Sequence, residues 1–297
     1  MTEPRTPEVV GSIVDLRERI AQARAAAIAE GGAGRVSLVP TMGALHEGHL
    51  SLVARAGELA DVVVVSIFVN PLQFGDPTDL DLYPRTLDTD VAKLTPAGVD
   101  FVFAPTAREM YPNGASGTTI TAGPVGSLLE GASRPGHFDG VLTVVDKLIK
   151  ISGADVVLFG QKDAQQVFLV QSMVTDLNTP VQIEVVPIVR ADNGLALSSR
   201  NARLSEAEQD GALALNAALA AASAHYGAAA DALAAARAVI EAQPLVKLDY
   251  LVVVHPETFL PVDDDYRGPA RMLVAALVGG TRLIDNTALG TTDPDFS

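Results

Sequence analysis

Residues 36–49 read VSLVPTMGALHEGH. A short β-branched run, residues 36–40, enters a turn containing Gly43 and Gly48, and the chain then continues into a stretch that reads as a helix, residues 47–60. The same order recurs on either side. VVVVSIFVN (residues 62–70) is apolar nearly throughout, as expected of a strand covered on both faces. Further strands are expected over residues 101–105, 156–160 and 182–190, and helices over 11–30, 88–97, 141–152 and 164–178. Strands alternating with helices imply an α/β fold with a parallel sheet, and ligands of such sheets sit beyond the carboxyl ends of the strands.

Composition shifts after about residue 188, which sets the expected boundary between a larger domain (1–188) and a smaller α+β domain (189–297). Ser205 and Glu208 form an S-x-x-E capping box, and an Ala-rich helix is expected from there to about Ala242. Residues 248–254 and 271–278 are strand-like, and a polar, frayed tail is expected to follow them.

The bulk numbers exclude several classes. Of 297 residues, 48% are hydrophobic and 19% charged, which permits a real core and opposes global disorder. With no cysteine there are no disulfides, iron–sulfur clusters or thiolate zinc sites. A net charge of −15, from 21 basic and 36 acidic residues, repels polyanions and disfavours nucleic acid. No run of about 18 apolar residues spans a membrane, and the opening MTEPRTPEVV lacks the apolar stretch of a secretory signal. A cytoplasmic location is expected.

Four segments carry chemistry. In PTMGALHEGH (residues 40–49), Gly43 and Gly48 let backbone approach a phosphate, and the following helix start offers N–H groups to an anion. His46 and His49 can donate to charge developing on phosphate, unless they are only a pair of surface histidines near a helix start. Their i to i+3 spacing differs from the i to i+4 pair of zinc hydrolases. FGQKDAQQ (residues 159–166) sits at another strand-to-helix junction. Gly160 clears room, Lys162 is a mobile charge suited to phosphate, and Asp163 either accepts from ribose hydroxyls or caps a helix. LSSRN (residues 197–201) sets Ser198, Ser199 and Arg200 in a row, either as a triphosphate clamp or as a polar linker. In FVNPLQFG (residues 68–75), Asn70 and Gln73 suit a hydroxy acid better than a phosphate, unless the segment is only a Pro-containing turn. P-loop and G-x-G-x-x-G signatures are absent.

Taken together with RPGHFDGVLTVV (residues 134–145), these segments stand in the order and approximate spacing of pantothenate synthetases, members of the H-x-G-H nucleotidyltransferase and class I synthetase superfamily, which the chain closely resembles over residues 36–205. The resemblance implies a Rossmann-like nucleotide domain, a homodimer, and condensation of (R)-pantoate with β-alanine through a pantoyl adenylate, with ATP giving AMP and pyrophosphate and with Mg²⁺ as cofactor. It places Met42, Gly43, Ala44, Leu45, His46, Glu47, Gly48 and His49 on ATP, with His49 as proton donor. Gly160, Gln161, Lys162, Asp163, Val189, Leu197, Ser198, Ser199 and Arg200 would complete the nucleotide site. His46, His49, Lys162 and Arg200 would offset phosphate charge. Gln73 and Gln166, with Asn70 and Met42, would hold pantoate, and Gln73 would also meet β-alanine. His137 would lie on a loop over the site. The Gly/Pro/Ser-rich residues 111–136 are expected to form a lid, unless they are an ordinary flexible surface loop. For Mg²⁺ the candidates are Asp88 and Asp90, whose bland alternative is a solvated helix start. Two departures stand out: Gln161 replaces the usual Glu, and Ala164 replaces an aromatic found in some relatives. The alternatives are another small-molecule nucleotidyltransferase of this fold, a class I aminoacyl-tRNA synthetase, which the charge opposes, or a non-catalytic nucleotide-binding module.

Overall fold

The computed structural model describes residues 6–75, 77–114 and 117–290. The described residues divide into two units, one drawn from residues 6–160 and 165–186 and the other from 161–164 and 187–290.

The first unit is built on six parallel strands: β1 (Glu8–Val10), β2 (Val36–Thr41), β3 (Val62–Ile67), β4 (Phe101–Phe103), β5 (Val156–Gly160) and β6 (Gln182–Val186). Their order is β1-β4-β3-β2-β5-β6. Helices α1 (Ile13–Ala29), α2 (Glu47–Leu59), α3 (Pro77–Asp81), α4 (Leu87–Leu94), α5 (Ala107–Met110), α6 (Glu130–Ser133), α7 (His137–Ser152) and α8 (Ala164–Asp176) connect them. Alternate strand residues feed two cores, as the pleat requires. Val62, Val64, Phe101 and Phe103 pack with Leu16, Ile20, Val141 and Val145 on one face. Val63, Val65 and Val102 pack with Leu52, Val53, Ala56 and Leu94 on the other. The α/β expectation therefore holds.

The chain turns back at β2. From there β3 and β4 extend the sheet one way, and β5 and β6 extend it the other. Pro40 has no N–H to give to a ladder. The paired positions of β2 and β5 are Ser37–Val156 and Leu38–Val157, although β2 runs on to Thr41 and β5 to Gly160. The two strands thus part before their carboxyl ends, at the switch point where such sheets take their ligands.

The second unit has α9 (Glu206–Ala224) and α10 (Ala229–Glu241) on a meander of β7 (Val246–Val254), β8 (Ala270–Val278) and β9 (Thr281–Leu289). Ala212, Ala218, Ala222, Ala229, Ala232 and Ala236 form its small-residue core with Leu215, Leu219 and Ile240. Ser205 and Glu208 make the expected capping box.

Three local expectations are corrected and one strand is added. The single Ala-rich helix is two, interrupted at residues 225–228 where Gly227 lowers helix propensity. The polar tail contains β9, paired along its length with β8. Strand β1 adds an edge that the sequence pattern does not announce. Helix α7 starts at His137, not Val141, because Gly140 is not a break but a contact point: a Cβ there would meet the Leu72 carbonyl oxygen at 2.2 Å.

Candidate active site

The loop from Thr41 to His49 leaves β2 at the switch point. Gly43 (φ 88°) and Ala44 (φ 53°) are both left-handed, a conformation that turns consecutive N–H groups the same way. Helix α4 holds this turn. The Ala44 and Leu45 amides donate to Asp90 Oδ2 and Oδ1 (3.0 and 2.8 Å), and Lys93 Nζ donates to the Leu45 carbonyl. Thr86 donates a further bond to Asp90, which is 1% exposed. A Cβ on Gly43 would sit 3.1 Å from the same carboxylate, so the position is tight as well as left-handed.

The two histidines cap α2 reciprocally. The Gly48 amide donates to His46 Nδ1 (3.1 Å), and the His46 amide donates to His49 Nδ1 (3.2 Å). Each Nδ1 is therefore an acceptor, which places the proton of each neutral ring on Nε2. The rings lie 4.1 Å apart, centroid to centroid. The cap thus fixes two N–H donors side by side at a helix N-terminus, where the helix dipole already favours an anion.

Beside this loop lies a buried amide pair. Gln73 Nε2 reaches the Met42 sulfur at 2.8 Å, and its Oε1 accepts from Asn70 Nδ2 at 3.1 Å. A thioether is a weak acceptor, readily exchanged for a carboxylate or hydroxyl oxygen. Asn70 has no such reserve. Its Nδ2 also donates to the Gly140 carbonyl, while its Oδ1 accepts from Tyr111 OH (2.8 Å) and the Leu72 amide. Burial pushes the Tyr111 hydroxyl up to about 12, so it stays a donor. The structure thus makes Asn70 the holder of Gln73 rather than a group with spare capacity for a ligand.

His137 is not on a loop over the site. It is buried in the first turn of α7, where its Nδ1–H donates to the Gln73 carbonyl (2.9 Å) and Arg134 Nη1 donates to its Nε2 (3.0 Å). It supports Gln73 from behind. Within the described part of the segment expected to be a lid, residues 120–130 are tied down. Ile120 and Ala122 amides donate to Thr143 and Asp139, and Gln165 bonds Val125, Leu128 and Glu130. Gln166 is half-buried on α8, and a Cβ on Gly160 would meet only open space.

The remaining motifs belong to the second unit, apart from Gly160. Gln161–Asp163 form a 3₁₀ turn in which Lys162 Nζ is 3.7 Å from Asp163 Oδ1. The two departures, Gln161 and Ala164, are both buried. Val189 and Leu197 are joined across a hairpin, with the Leu197 amide donating to the Val189 carbonyl (2.9 Å). The LSSRN segment opens the 3₁₀ turn Ser199–Arg203. Ser198 Oγ caps the Arg200 amide, while Ser199 and Arg200 are exposed. Sequence reading missed three supports here. Asp285 takes Arg190 with both oxygens (2.7 and 2.9 Å), Asn286 donates to the Gln161 and Lys162 carbonyls, and Arg271 donates to Asn286.

The metal candidates change character. Asp90 spends both oxygens on the histidine loop, and Asp88 is exposed at the start of α4. Among the described residues no group of three His, Asp or Glu side chains could hold a metal. No helix among them is long and apolar enough to cross a membrane.

A doubly covered parallel sheet, reversing at β2 and presenting a histidine-capped helix start there, defines a nucleotide-handling α/β protein of the Rossmann-like class. Comparison with known proteins narrows this class. The sequence pattern of the Pantoate-beta-alanine ligase family matches residues 8–288. A pantothenate synthetase of Leifsonia xyli is 60% identical over 279 residues, covering 92% of this chain and 97% of that one. The Corynebacterium jeikeium pantothenate synthetase is 57% identical, covering 87% and 85%. The crystal structure of pantothenate synthetase from Thermus thermophilus superposes with TM-score 0.85 at 44% identity, covering 94% and 98%. That of the Francisella tularensis pantoate-beta-alanine ligase, complexed with β,γ-ATP and β-alanine, gives 0.75 at 33%, covering 97% and 99%. The chain belongs to the pantoate-β-alanine ligase family.

Proposed function

We propose that this enzyme joins (R)-pantoate to β-alanine, forming pantothenate, AMP and pyrophosphate through pantoyl adenylate. The observation that carries the assignment is the contact of Gln73 Nε2 with Met42 Sδ. It puts an amide with an exchangeable acceptor directly on the loop that bears the histidine donors. A carboxylate replacing the sulfur on Gln73 lies against the same loop as a phosphate accepting from His46 and His49.

In the first step a pantoate carboxylate oxygen attacks the α-phosphorus of ATP, and the bond to the β,γ-pyrophosphate breaks. Negative charge moves onto pyrophosphate. His46 and His49 offer Nε2–H groups to that charge, and His49 is the assigned proton donor. One well-placed donor contributes about 10²–10³ in rate. The motifs assign Lys162 and Arg200 to the same triphosphate, with Asp163, Val189, Leu197, Ser198 and Ser199 around the nucleotide. Gln73 and Gln166 orient pantoate, and Gln73 also orients β-alanine. In the second step the β-alanine amine attacks the acyl carbon, AMP departs, and the nitrogen loses a proton. Magnesium would enter with ATP, held by phosphate oxygens and water, with the exposed Asp88 as the chain's remaining carboxylate candidate. A homodimer and a cytoplasmic setting go with the family reading.

The test is product analysis with purified enzyme. Sustained turnover, with AMP, pyrophosphate and pantothenate in equal amounts, is expected only when all three substrates are present. Steady pyrophosphate release without β-alanine would instead indicate a plain nucleotidyltransferase, and no turnover a binding module.

A further inference from the structure

The turn that carries Lys162 is held by a residue 124 positions further along the chain. On β9, Asn286 Nδ2 donates to the Gln161 carbonyl at 3.0 Å and to the Lys162 carbonyl at 3.1 Å. These carbonyls belong to the two peptide planes on either side of the Lys162 Cα. Each plane is rigid, so fixing both fixes φ and ψ of Lys162 and the direction in which its side chain leaves. The Asn286 amide cannot turn over. Its Oδ1 accepts from Arg271 Nη1 at 2.7 Å, and reversal would set two donors against each other and an oxygen against two carbonyls. Arg271 sits on β8, so deeply buried that its guanidinium is pushed down to about 10. The Asn286 amide N–H donates to Asp285 Oδ1 (2.8 Å), whose carboxylate also clasps Arg190. Asn286 is 2% exposed and Asp285 4%, so water does not compete for these bonds.

We infer that Asn286 is a positioning residue that aims Lys162 at the triphosphate, with Arg271 locking the amide that does so. This rests on the assignment of Lys162 to ATP made above. A fixed Lys162 backbone matters because a lysine is a point charge on a flexible stem; its aim comes from where the stem begins. An ordinary stitch between β9 and the 3₁₀ turn would stabilise the unit without caring which side chain position 162 bears.

The distinguishing experiment is a double-mutant cycle in the full-length enzyme. Asn286→Ala, Lys162→Ala and their combination are compared by kcat/KM for ATP, with thermal melting as a control. Lys162→Ala is expected to lower kcat/KM by about 100-fold or more and Asn286→Ala by about 10-fold, the former being typical of losing one group that stabilises transition-state charge. The combination is expected to fall within about threefold of Lys162→Ala alone, because residues in one network are not additive. Multiplicative losses, or an Asn286→Ala enzyme within about twofold of wild type, would overturn the inference. Wild-type kinetics in Lys162→Ala would instead remove Lys162 from the nucleotide, sinking the underlying assignment. Should Asn286→Ala not fold, the isosteric Asn286→Asp keeps a partner for Arg271 while facing both carbonyls with oxygen. The same coupling is expected of it, and failure of both variants to fold would make Asn286 a structural residue only.

Discussion

Replacing Asp90 by Asn separates two roles that the sequence leaves open. As a loop holder, the carboxylate accepts from the Ala44 and Leu45 amides with different oxygens and from Thr86 with one of them. An asparagine has one acceptor oxygen, so one buried amide would face an NH₂ group. Losing a bond to a charged acceptor costs about 1.5–3 kcal/mol, and the orphaned buried N–H costs about 1–3 more. Ala44, held at φ 53°, would no longer be compensated for its left-handed backbone, worth about 1–2 kcal/mol, and could relax away. Of the about 2.5–6 kcal/mol lost, that relaxation returns about 1–2, and a net loss of about 3 kcal/mol corresponds to a fall of about 6–12 °C in the melting temperature of a unit this size. Because the relaxing turn carries residues 42–45, assigned to ATP, KM for ATP should rise about tenfold, a shift of about 1.4 kcal/mol. The magnesium concentration giving half-maximal rate should not change. Melting within about 2 °C of wild type, combined with a raised magnesium requirement, would refute this reasoning and return Asp90 to the metal.

His49→Ala should slow adenylate formation about 10²–10³-fold with little loss of ATP affinity, read by quench-flow single turnovers. Gln73→Ala should raise KM for pantoate and β-alanine and leave ATP binding unchanged by calorimetry. Gly140→Ala drives a Cβ into the Leu72 carbonyl and to 2.7 Å from the Gln73 amide nitrogen. Overpacking of this kind costs about 1–3 kcal/mol and should shift Gln73, so stability and KM for pantoate should worsen together in melts and steady-state kinetics. Ser205→Ala removes the α9 capping box. Hydrogen bonds from the Ser205 amide and hydroxyl hold the Glu208 carboxyl below its ordinary value of 4.5. That contribution is present above the ordinary value and lost as pH falls through the depressed one. The melting difference between Ser205→Ala and wild type should therefore narrow as the pH is lowered through that window.

Strands β2 to β5 were legible because each is a β-branched or aromatic run buried on both faces. The histidine motif was legible because it sits between such a strand and a helix. Strand β9 was not, because Asp285 and Asn286 put polar side chains in its buried middle and mask the alternation. Its signal was Gly279-Gly280, both at positive φ (54° and 81°), a two-residue hairpin turn pairing Val278 with Thr281. The roles of Asp90 and His137 were beyond local pattern. Their partners lie 45 and 64 residues away, and only the folded chain brings a helix carboxylate to Leu45 and an imidazole to Gln73. Asn70 looked like a ligand group for the same reason: its saturation by Tyr111 and Gly140 is tertiary.

The most direct test of the two-step ligase is rapid-quench measurement of pyrophosphate from ATP and (R)-pantoate with β-alanine withheld. A burst of one pyrophosphate per active site that then stops, and that is chased to pantothenate and AMP on adding β-alanine, is the predicted result. Pyrophosphate release that needs no pantoate, or that continues at a steady rate without the amine, would contradict the account.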